Sequence, residues 1–402
     1  MVKLAVVGVG GWGKNLARNY FQIPDCELKY ICDTDTSKLE QLQTQLPGTR
    51  TCTRFEDMLE DNEIQALVIA TPAPTHYKLC KAALEAGKDV YVEKPFVLDV
   101  DEAEELIRLA EQNERILMVG HLLEYHPIIT KLKQMIDADE LGNVYYIYNQ
   151  RVNLGTVRTD ENALWNFAPH DISSILYLLG KEPTDVAARG QGYLQEGIED
   201  VVFLTLNFND KSMAHIHVSW LDPHKVRKIT IVGSRKMAVF DDLESNEKLR
   251  IYDKGAANGG DYDTFAEYVS LRFGDITIPY VKVGEPLRLE CEHFLECVRE
   301  RKQPVSDGYD GLRVTKVLDA AERSLKSNGV PIAISVGQIV ELVANKRKQR
   351  YREVLQRRRQ RPGHSLTMGA SRVEVAISSN VRCAETSQVD FDALRIFGGR
   401  WL

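Results

Sequence analysis

The 402-residue sequence lacks any uncharged apolar run of about 18 residues, the length that a membrane-spanning helix needs. It also lacks CxxC pairs, since its seven cysteines are scattered along the chain at positions 26, 32, 52, 80, 291, 297 and 383. This scatter argues against a disulfide framework or a zinc site. The start has no long apolar stretch followed by small residues, as a secretory signal would have. We therefore expect a cytoplasmic protein with no membrane partner.

Charge is unevenly distributed along the chain. The formal net charge is −7, yet residues 346–361 contain nine Lys or Arg and one Glu. The remainder is correspondingly acidic and gives no reason to expect a nucleic-acid partner. Because sustained periodicity ends near residue 345, we predict a basic, disordered tail over 346–402. Contact of the basic run with nucleic acid or acidic lipid stays open as an alternative.

The first part of the chain alternates short β-branched runs with amphipathic helical patterns. The apolar runs are residues 4–7, 28–32, 66–70, 90–92 and 116–119. Alternation of this kind with nearly continuous apolar strands predicts a parallel sheet covered on both faces. We expect an α/β fold that opens with a doubly wound, Rossmann-type domain over residues 1–121.

The pattern changes after residue 121. A helical pattern at 126–139 precedes strand-like stretches at 143–152, 199–208, 212–221 and 228–240, the last broken at Gly233. Strands that follow each other without helices predict a mainly antiparallel sheet with an open face. We expect a second α/β domain over 122–345, closed by helices at 286–301 and 311–326 that pack back on the first domain.

A glycine-rich turn of the GxGxxG type follows the first predicted strand. It consists of Gly8, Val9, Gly10, Gly11, Trp12 and Gly13. The first glycine permits the tight turn, the second lets a pyrophosphate approach the backbone, and the third lets helix and strand pack closely. The helix that follows offers free N–H groups to phosphates. The turn therefore predicts a dinucleotide-binding site.

Asp33 ends the second predicted strand, 20 residues after Gly13. A carboxylate at this position accepts hydrogen bonds from the adenosine ribose and repels a 2′-phosphate. The sequence therefore favours NAD over NADP as cofactor. A chance glycine-rich turn beside a helix-capping aspartate is the alternative.

Two more stretches follow predicted strands of the first sheet. Thr71, Pro72 and His76 come after the third strand, and Glu93 and Lys94 come after the fourth. Ligands bind at the carboxyl ends of strands in doubly wound sheets, so these residues are candidate cofactor contacts. Lys94 can hold its ammonium group at the mouth of the nicotinamide site; a solvated loop lysine is the alternative.

A third cluster lies at residues 162–171. Pro169 can open a helix, which would put His170 and Asp171 in its first turn. A histidine can take a proton from an alcohol at neutral pH, so His170 is a candidate general base. A helix cap or a surface histidine is the alternative.

These stretches together resemble one known family. The segments VVGVGGWG, ATPAPTHY, EKP and APHD occur in the order and spacing of the glucose–fructose oxidoreductase/inositol dehydrogenase/MocA (Gfo/Idh/MocA) family. The resemblance continues through GHLLEYHP, SWLDP, KMAVFDDL, EPLRLECEHFLECV and DGYDGLRV, and covers about residues 1–340. It implies an NAD-dependent dehydrogenase that oxidises CH–OH groups.

The resemblance also implies roles for particular residues. Lys94 matches the family's EKP lysine, and His170 matches its catalytic histidine. Many relatives have aspartate where this chain has Asn166, a difference that weakens any tuning of His170 by an ion pair. Trp165, Asn166 and Asp171 become candidate substrate-binding residues.

Within the family, residues 151–173 resemble a subgroup that oxidises C3 of UDP-N-acetyl-hexosamines or their uronates for polysaccharide biosynthesis. Arg151 and Arg158 would suit the diphosphate, although either could instead pair with Asp160 or Glu161. A free sugar, inositol or sugar acid remains an alternative substrate. A non-catalytic NAD-binding sensor or scaffold is the alternative outside the enzyme class.

Two further expectations concern the second predicted sheet. His215 and His217 alternate on one strand and share a face, but no third ligand lies nearby in the sequence, so we expect no metal. An open face of this size also suits subunit packing. With the family commonly oligomeric, we expect a homodimer or homotetramer.

Overall fold

The computed structural model describes residues 1–258, 269–282 and 284–334. Two β-sheets and the helices packed on them account for these residues. The basic tail predicted over 346–402 lies outside the described residues.

The N-terminal region contains a parallel sheet with helices between its strands. Its elements are β1 Val2–Val7, α1 Gly13–Gln22, β2 Cys26–Cys32, α2 Thr36–Gln43, β3 Arg50–Cys52, α3 Glu56–Glu60, β4 Ala66–Ile69, α4 His76–Glu85, β5 Asp89–Glu93, α5 Val100–Gln112 and β6 Leu117–Gly120. The strand order is β3-β2-β1-β4-β5-β6, and all neighbouring strands are parallel. Strands β4, β5 and β6 are buried along their whole length, as strands covered on both faces must be. The predicted Rossmann-type sheet is confirmed.

The second region contains a larger, mixed sheet. Its elements are α6 Pro127–Asp137, β7 Val144–Val152, α7 Ala163–Leu179, β8 Pro183–Gln191, β9 Val201–Phe208, β10 Met213–Ser219, β11 Val226–Gly233, β12 Met237–Asp241, β13 Leu249–Asn258, β14 Val269–Thr277, α8 Pro286–Glu300, α9 Gly308–Lys326 and β15 Ile332–Ala333. The strand order is β14-β13-β12-β11-β7-β10-β9-β8-β15. Only β7 and β10 pair in parallel among these neighbours. The predicted, mainly antiparallel sheet is confirmed.

The two faces of the second sheet have different surroundings. Along β10, Ala214, Ile216 and Val218 are buried, whereas the alternating His215 and His217 are half-buried. The buried face packs against α6, α7 and α9 in one apolar core. The other face carries the partly exposed side chains, which is the period-two pattern of a sheet covered on one side.

The last two helices contact the first sheet. Leu287, Cys291 and Phe294 of α8 belong to the same apolar core as β1 and α1. The ring of Phe294 lies edge-on to Tyr20 and Tyr91, with ring centroids 6.5 and 5.8 Å apart. Helix α9 packs against α5 of the first region and against α7 and β8 of the second.

Helix α7 differs from its sequence-based prediction, because Pro169 does not open it. The helix begins at Ala163, and the side chain of Asn162 caps it by accepting a hydrogen bond from the Trp165 N–H at 3.2 Å. Pro169 lies inside the helix, where its missing N–H removes one hydrogen bond to the carbonyl of Trp165. His170 and Asp171 therefore lie in the middle of α7, and the alternative role of His170 as a helix cap is wrong.

Candidate active site

The glycine turn joins β1 to α1 at the carboxyl edge of the parallel sheet. A Cβ on Gly8, where φ is +86°, would lie 2.7 Å from the Ala70 carbonyl oxygen. A Cβ on Gly13 would lie 1.9 Å from the Gly8 oxygen. A Cβ on Gly10 or Gly11, in contrast, would meet no atom within 4 Å. The outer glycines are therefore required for packing, and the inner ones border open space where a pyrophosphate can approach the backbone.

Asp33 follows β2 and lies against the glycine turn. One of its carboxylate oxygens accepts a hydrogen bond from the Val9 N–H at 2.9 Å, and the other accepts from the Asp35 N–H at 2.9 Å. The Asp33 N–H donates a hydrogen bond to the Cys52 carbonyl oxygen. Thr51 and Cys52 in turn line part of a cavity of about 340 Å³. The carboxylate is thus fixed beside the glycine turn by two backbone N–H groups.

Glu93 links the glycine turn to the EKP segment. Its Oε1 accepts hydrogen bonds from the Trp12 Nε1 at 2.7 Å and from the Tyr91 hydroxyl at 3.1 Å. Its Oε2 accepts one from the Lys94 N–H at 3.2 Å. Burial raises the pKa of the Glu93 carboxyl, while the Lys94 ammonium and these hydrogen bonds oppose that rise. Glu93 therefore holds Trp12 and Lys94 next to each other.

His76 connects two loops at the same edge of the sheet. The imidazole is 1% exposed, with Nε2 2.8 Å from the Thr71 carbonyl oxygen and Nδ1 2.9 Å from the Pro95 carbonyl oxygen. Burial lowers the pKa of His76. The ring thus faces backbone carbonyls of the loop that contains Thr71 and Pro72 and of the loop after Lys94, whose peptide bond to Pro95 is cis. The buried His76 ring therefore contacts the backbone of both loops.

The Lys94 side chain reaches helix α7. Its Nζ donates a hydrogen bond to the Asn166 carbonyl oxygen at 3.1 Å. Burial lowers the pKa of the Lys94 ammonium; the carboxylates of Glu161 and Glu93 oppose this shift, and nearby arginines add to it.

His170 follows Asn166 by one turn of α7, so the two residues lie on the same helix face. Burial and the positive charge of Lys94 lower the pKa of His170 well below 6.5, and Arg151 and His121 add to the shift. Within the described residues no protein group hydrogen-bonds the His170 ring. A neutral imidazole near an ammonium group is thus available to accept a proton. Lys94 is thus close enough to His170 for its charge to lower the pKa of the imidazole.

Arg151 and Arg158 have different partners. Arg151 on β7 forms two hydrogen bonds with the Asp171 carboxylate, Nε to Oδ2 at 2.8 Å and Nη2 to Oδ1 at 3.2 Å. Arg158 pairs in the same two-pronged way with Asp160, at 3.0 and 2.9 Å, and lies 3.5 Å from Glu161. The expectation that acidic residues at 160 and 161 could occupy the arginines holds for Arg158, whereas the partner of Arg151 is Asp171.

Exposure separates these two ion pairs. The side chains of Arg151 and Asp171 are 12% and 2% exposed, and those of Arg158 and Asp160 are 44% and 61% exposed. The first pair is a buried support between β7 and α7. The second is a surface pair that can exchange partners.

Trp165 and Asn166 face different neighbours. The Trp165 Nε1 donates a hydrogen bond to a Glu322 carboxylate oxygen of α9 at 3.2 Å. Asn166 Nδ2 donates to Glu161 at 2.6 Å, and its Oδ1 accepts from the Trp220 Nε1 at 3.3 Å. Asn166 therefore contributes its backbone carbonyl to Lys94 while its side chain amide is held by other residues.

Sequence reasoning missed His121. It follows β6 at the carboxyl edge of the parallel sheet, as Lys94 follows β5, and it is 1% exposed. Neither of its ring nitrogens has a hydrogen-bond partner in the described part of the chain. Burial lowers its pKa to about 4. Its position at a strand's carboxyl end was the available signal, the same signal that identified Lys94.

The two histidines of the second sheet, His215 and His217, lie on its open face. His217 stacks on Phe203 with ring centroids 4.4 Å apart, and His215 stacks on Tyr148 at 5.8 Å. Among the residues that the structure describes, no cluster of three or more His, Cys, Asp or Glu side chains could hold a metal ion. No described helix is both long and apolar enough to cross a membrane.

Two family models match the chain. Residues 2–121 match an oxidoreductase family with an NAD-binding Rossmann fold, and residues 129–239 match the GFO/IDH/MocA C-terminal domain. An inositol 2-dehydrogenase from Mycolicibacterium vanbaalenii is 36% identical over 347 residues, which cover 83% of this chain and 96% of that protein.

A sugar-nucleotide enzyme is similar as well. The UDP-N-acetylglucosamine 3-dehydrogenase of Acidithiobacillus ferrooxidans is 28% identical over 314 residues, covering 78% of this chain and 94% of that protein. A solved structure of the Acidithiobacillus enzyme superposes with a TM-score of 0.70 at 24% identity, covering 81% of this chain and 98% of the other. The structural likeness extends over both sheets.

Proposed function

Because the chain belongs to the Gfo/Idh/MocA family and is an NAD-dependent dehydrogenase acting on CH–OH groups, we propose that it oxidises the C3 hydroxyl of a UDP-N-acetyl-hexosamine or its uronate. The observation that carries the chemistry is the contact of the Lys94 Nζ with the Asn166 carbonyl, one helical turn before His170. That contact leaves the Lys94 ammonium at the carboxyl edge of the Rossmann sheet, close enough for its charge to lower the pKa of the His170 imidazole.

The glycine turn and Asp33 fit the cofactor. Gly10 and Gly11 border open space, and the Asp33 carboxylate is fixed beside the turn. Bound NAD⁺ supplies the hydride acceptor, while the protein supplies position and charge. Glu93 and Trp12 keep the turn next to Lys94.

His170 acts as the general base in this proposal. Its lowered pKa keeps the imidazole neutral above that pKa, and therefore available to accept the substrate hydroxyl proton at neutral pH. The acid limb of the rate of oxidation should accordingly lie below pH 6.5, the ordinary pKa of histidine.

Lys94 stabilises the negative charge that develops on the substrate oxygen as its proton leaves. This requires the ammonium form, which persists below the pKa of Lys94. Since burial lowers that pKa, the alkaline limb of the rate should lie below the pH at which an exposed lysine titrates.

We assign the diphosphate of the substrate to Arg158. Its pair with Asp160 is exposed, so a phosphate group can replace the carboxylate, whereas Arg151 is held by the buried Asp171. The similarity to a UDP-N-acetylglucosamine 3-dehydrogenase supports this substrate class. An inositol or free sugar is the second candidate, favoured by the 36% identity to an inositol 2-dehydrogenase.

We divide the chain into domains at 1–121 and 122–345 with a tail at 346–402, and we place the protein in the cytoplasm. The exposed Phe203 and the half-buried Tyr148 and His217 on the open sheet face support a homodimer or homotetramer.

The test measures NADH formation by the purified protein. With NAD⁺ present, we expect absorbance at 340 nm to grow with UDP-N-acetylglucosamine or its uronate and to stay flat with inositol and glucose. Lys94→Ala and His170→Ala should each lower kcat by about 10²–10⁴-fold, because each removes a group that acts only on the reacting hydroxyl. NAD binding, followed by NADH fluorescence, should survive both changes.

Lys78→Ala and His224→Ala serve as matched controls, since both side chains are exposed, and they should retain native turnover. If NADH forms with inositol and not with the sugar nucleotides, inositol becomes the proposed substrate. Native turnover in both Lys94→Ala and His170→Ala would refute the proposed chemistry.

A further inference from the structure

Glu161 has no part in the mechanism above, yet it lies in the same network as Lys94. Its Oε1 accepts a hydrogen bond from the Asn166 Nδ2 at 2.6 Å. The carbonyl oxygen of Asn166 accepts the hydrogen bond from the Lys94 Nζ at 3.1 Å. One residue therefore separates the Glu161 carboxylate from the ammonium group.

The intervening Asn166 is fixed on both sides of its amide. Its Oδ1 accepts from the indole N–H of Trp220, a side chain with no exposed surface. Its Nδ2 donates to Glu161. A flip of the amide would lose both hydrogen bonds, because it would point an oxygen at a carboxylate and an NH₂ group at an N–H donor. Loss of the Glu161 carboxylate would free one side of this support.

The charges around Lys94 make Glu161 its main counter-charge. Burial lowers the pKa of the ammonium, and Arg151 and Arg158 lower it further. Glu161 and then Glu93 are the carboxylates that oppose this shift. Glu93 is the second of these carboxylates, and its oxygens already accept hydrogen bonds from Trp12, from Tyr91 and from the Lys94 N–H.

The other ionisable groups nearby are either neutral histidines or carboxylates that are already paired with an arginine. The two histidines at the site, His121 and His170, have lowered pKa values and are neutral near pH 7. The carboxylate of Asp171 is already bound in two places by Arg151. Asp160 forms a pair with Arg158 at 2.9 Å. Glu161 lies 3.5 Å from Arg158 and has its shorter contact, 2.6 Å, with Asn166.

We propose that Glu161 is a positioning residue of the active site: its carboxylate fixes Asn166 next to the Lys94 ammonium and keeps that ammonium charged among the surrounding cations. The effect on turnover rests on the proposed function, but the effect on Lys94 itself does not. Glu161 acts through Asn166 and Lys94 and need not touch the substrate.

The test follows the protonation of Lys94 without any substrate. The full-length protein is labelled with acetic anhydride across a pH series, and acetylation of Lys94 is quantified by mass spectrometry against exposed lysines. Only the neutral amine reacts, so the labelling curve reports the titration. In Glu161→Gln the curve should move to lower pH, because the ammonium loses a nearby opposite charge. On the rising limb, Lys94 labelling should be about tenfold higher than in the native protein at the same pH.

Two further variants separate charge from structure. Asp160→Asn removes a neighbouring carboxylate that pairs with Arg158 at the surface, and its Lys94 curve should match that of the native protein. Glu161→Asp keeps the charge and should shift the curve less than Glu161→Gln. A Glu161→Gln curve that coincides with the native one would overturn the proposal, and so would equal shifts in Glu161→Asp and Glu161→Gln.

The pH profile of NADH formation supplies the second readout. In Glu161→Gln the alkaline limb should move to lower pH, with about tenfold lower kcat on that limb, because the ammonium form is lost earlier. KM for NAD⁺ should stay unchanged. If the native protein oxidises no sugar, the proposed function fails while the labelling curves still decide the role of Glu161.

Discussion

The glycine turn and helix α7 both reach Lys94, and different kinds of contact hold them there. The turn depends on backbone clearance, since neither Gly8 nor Gly13 has room for a Cβ. It reaches Lys94 through one carboxylate, Glu93, which accepts hydrogen bonds from Trp12 and from the Lys94 N–H.

Helix α7 depends on side-chain pairs that join distant parts of the chain. Arg151 on β7 binds Asp171, and Glu161 in the preceding loop binds Asn166. These contacts are ionic or charge-assisted and lie in or near buried surroundings, where a missing partner is costly. Charge substitutions should therefore disturb the α7 side of the site more than the glycine turn.

The largest effect on stability should come from breaking the buried pair. Asp171→Asn keeps the shape of the side chain but leaves the Arg151 guanidinium, 12% exposed, without its counter-charge. We expect the free energy of unfolding to fall by about 3–5 kcal/mol, measured by urea denaturation.

Asp160→Asn is the matched control for this loss, because it breaks an equally well-aligned arginine pair at the surface. Its cost should stay within about 1 kcal/mol. Equal losses in the two variants would remove the distinction between a buried support and a surface pair.

A smaller effect is expected at the glycine turn. Trp12→Phe removes the indole N–H that donates to Glu93 and leaves the other hydrogen bonds of that carboxylate in place. A hydrogen bond to a charged group contributes about 1.5–3 kcal/mol, and Trp12 is 43% exposed. We therefore expect only about tenfold weaker NADH binding in a fluorescence titration, equivalent to about 1.4 kcal/mol.

Tyr91→Phe is the control for Trp12→Phe. It removes the other donor to the same Glu93 oxygen, but its hydroxyl lies on β5 and not on the turn. NADH affinity should be native in this variant even if its stability falls. Equal affinity losses would mean that the charge state of Glu93, and not its link to the turn, controls the cofactor site.

The parts of the site that depend on local backbone geometry could be predicted from the sequence. The glycine turn, Asp33 and Lys94 all follow strands whose apolar runs are continuous, and the edge of a parallel sheet brings such ends together. Their positions therefore follow from the order of elements alone.

The parts held by distant partners could not be predicted. Pro169 indicated a helix start, but a helix tolerates one missing hydrogen bond, and the cap at Asn162 determined the start instead. Asp171 could not be identified as the partner of Arg151, because that contact depends on how α7 packs against β7. Nor did the strand pattern reveal that β7 and β10 run parallel within a mainly antiparallel sheet.

The most direct test of the shared action of Lys94 and His170 is a double-mutant cycle on the single-turnover rate of NADH formation. Lys94→Ala, His170→Ala and the double variant are compared with the native protein under saturating NAD⁺ and substrate. If both groups act on the same hydroxyl, the double variant should be little slower than the slower single variant, because residues acting as a unit are strongly non-additive. Losses that multiply across the two changes would mean that the ammonium and the imidazole act independently, contrary to the proposed mechanism.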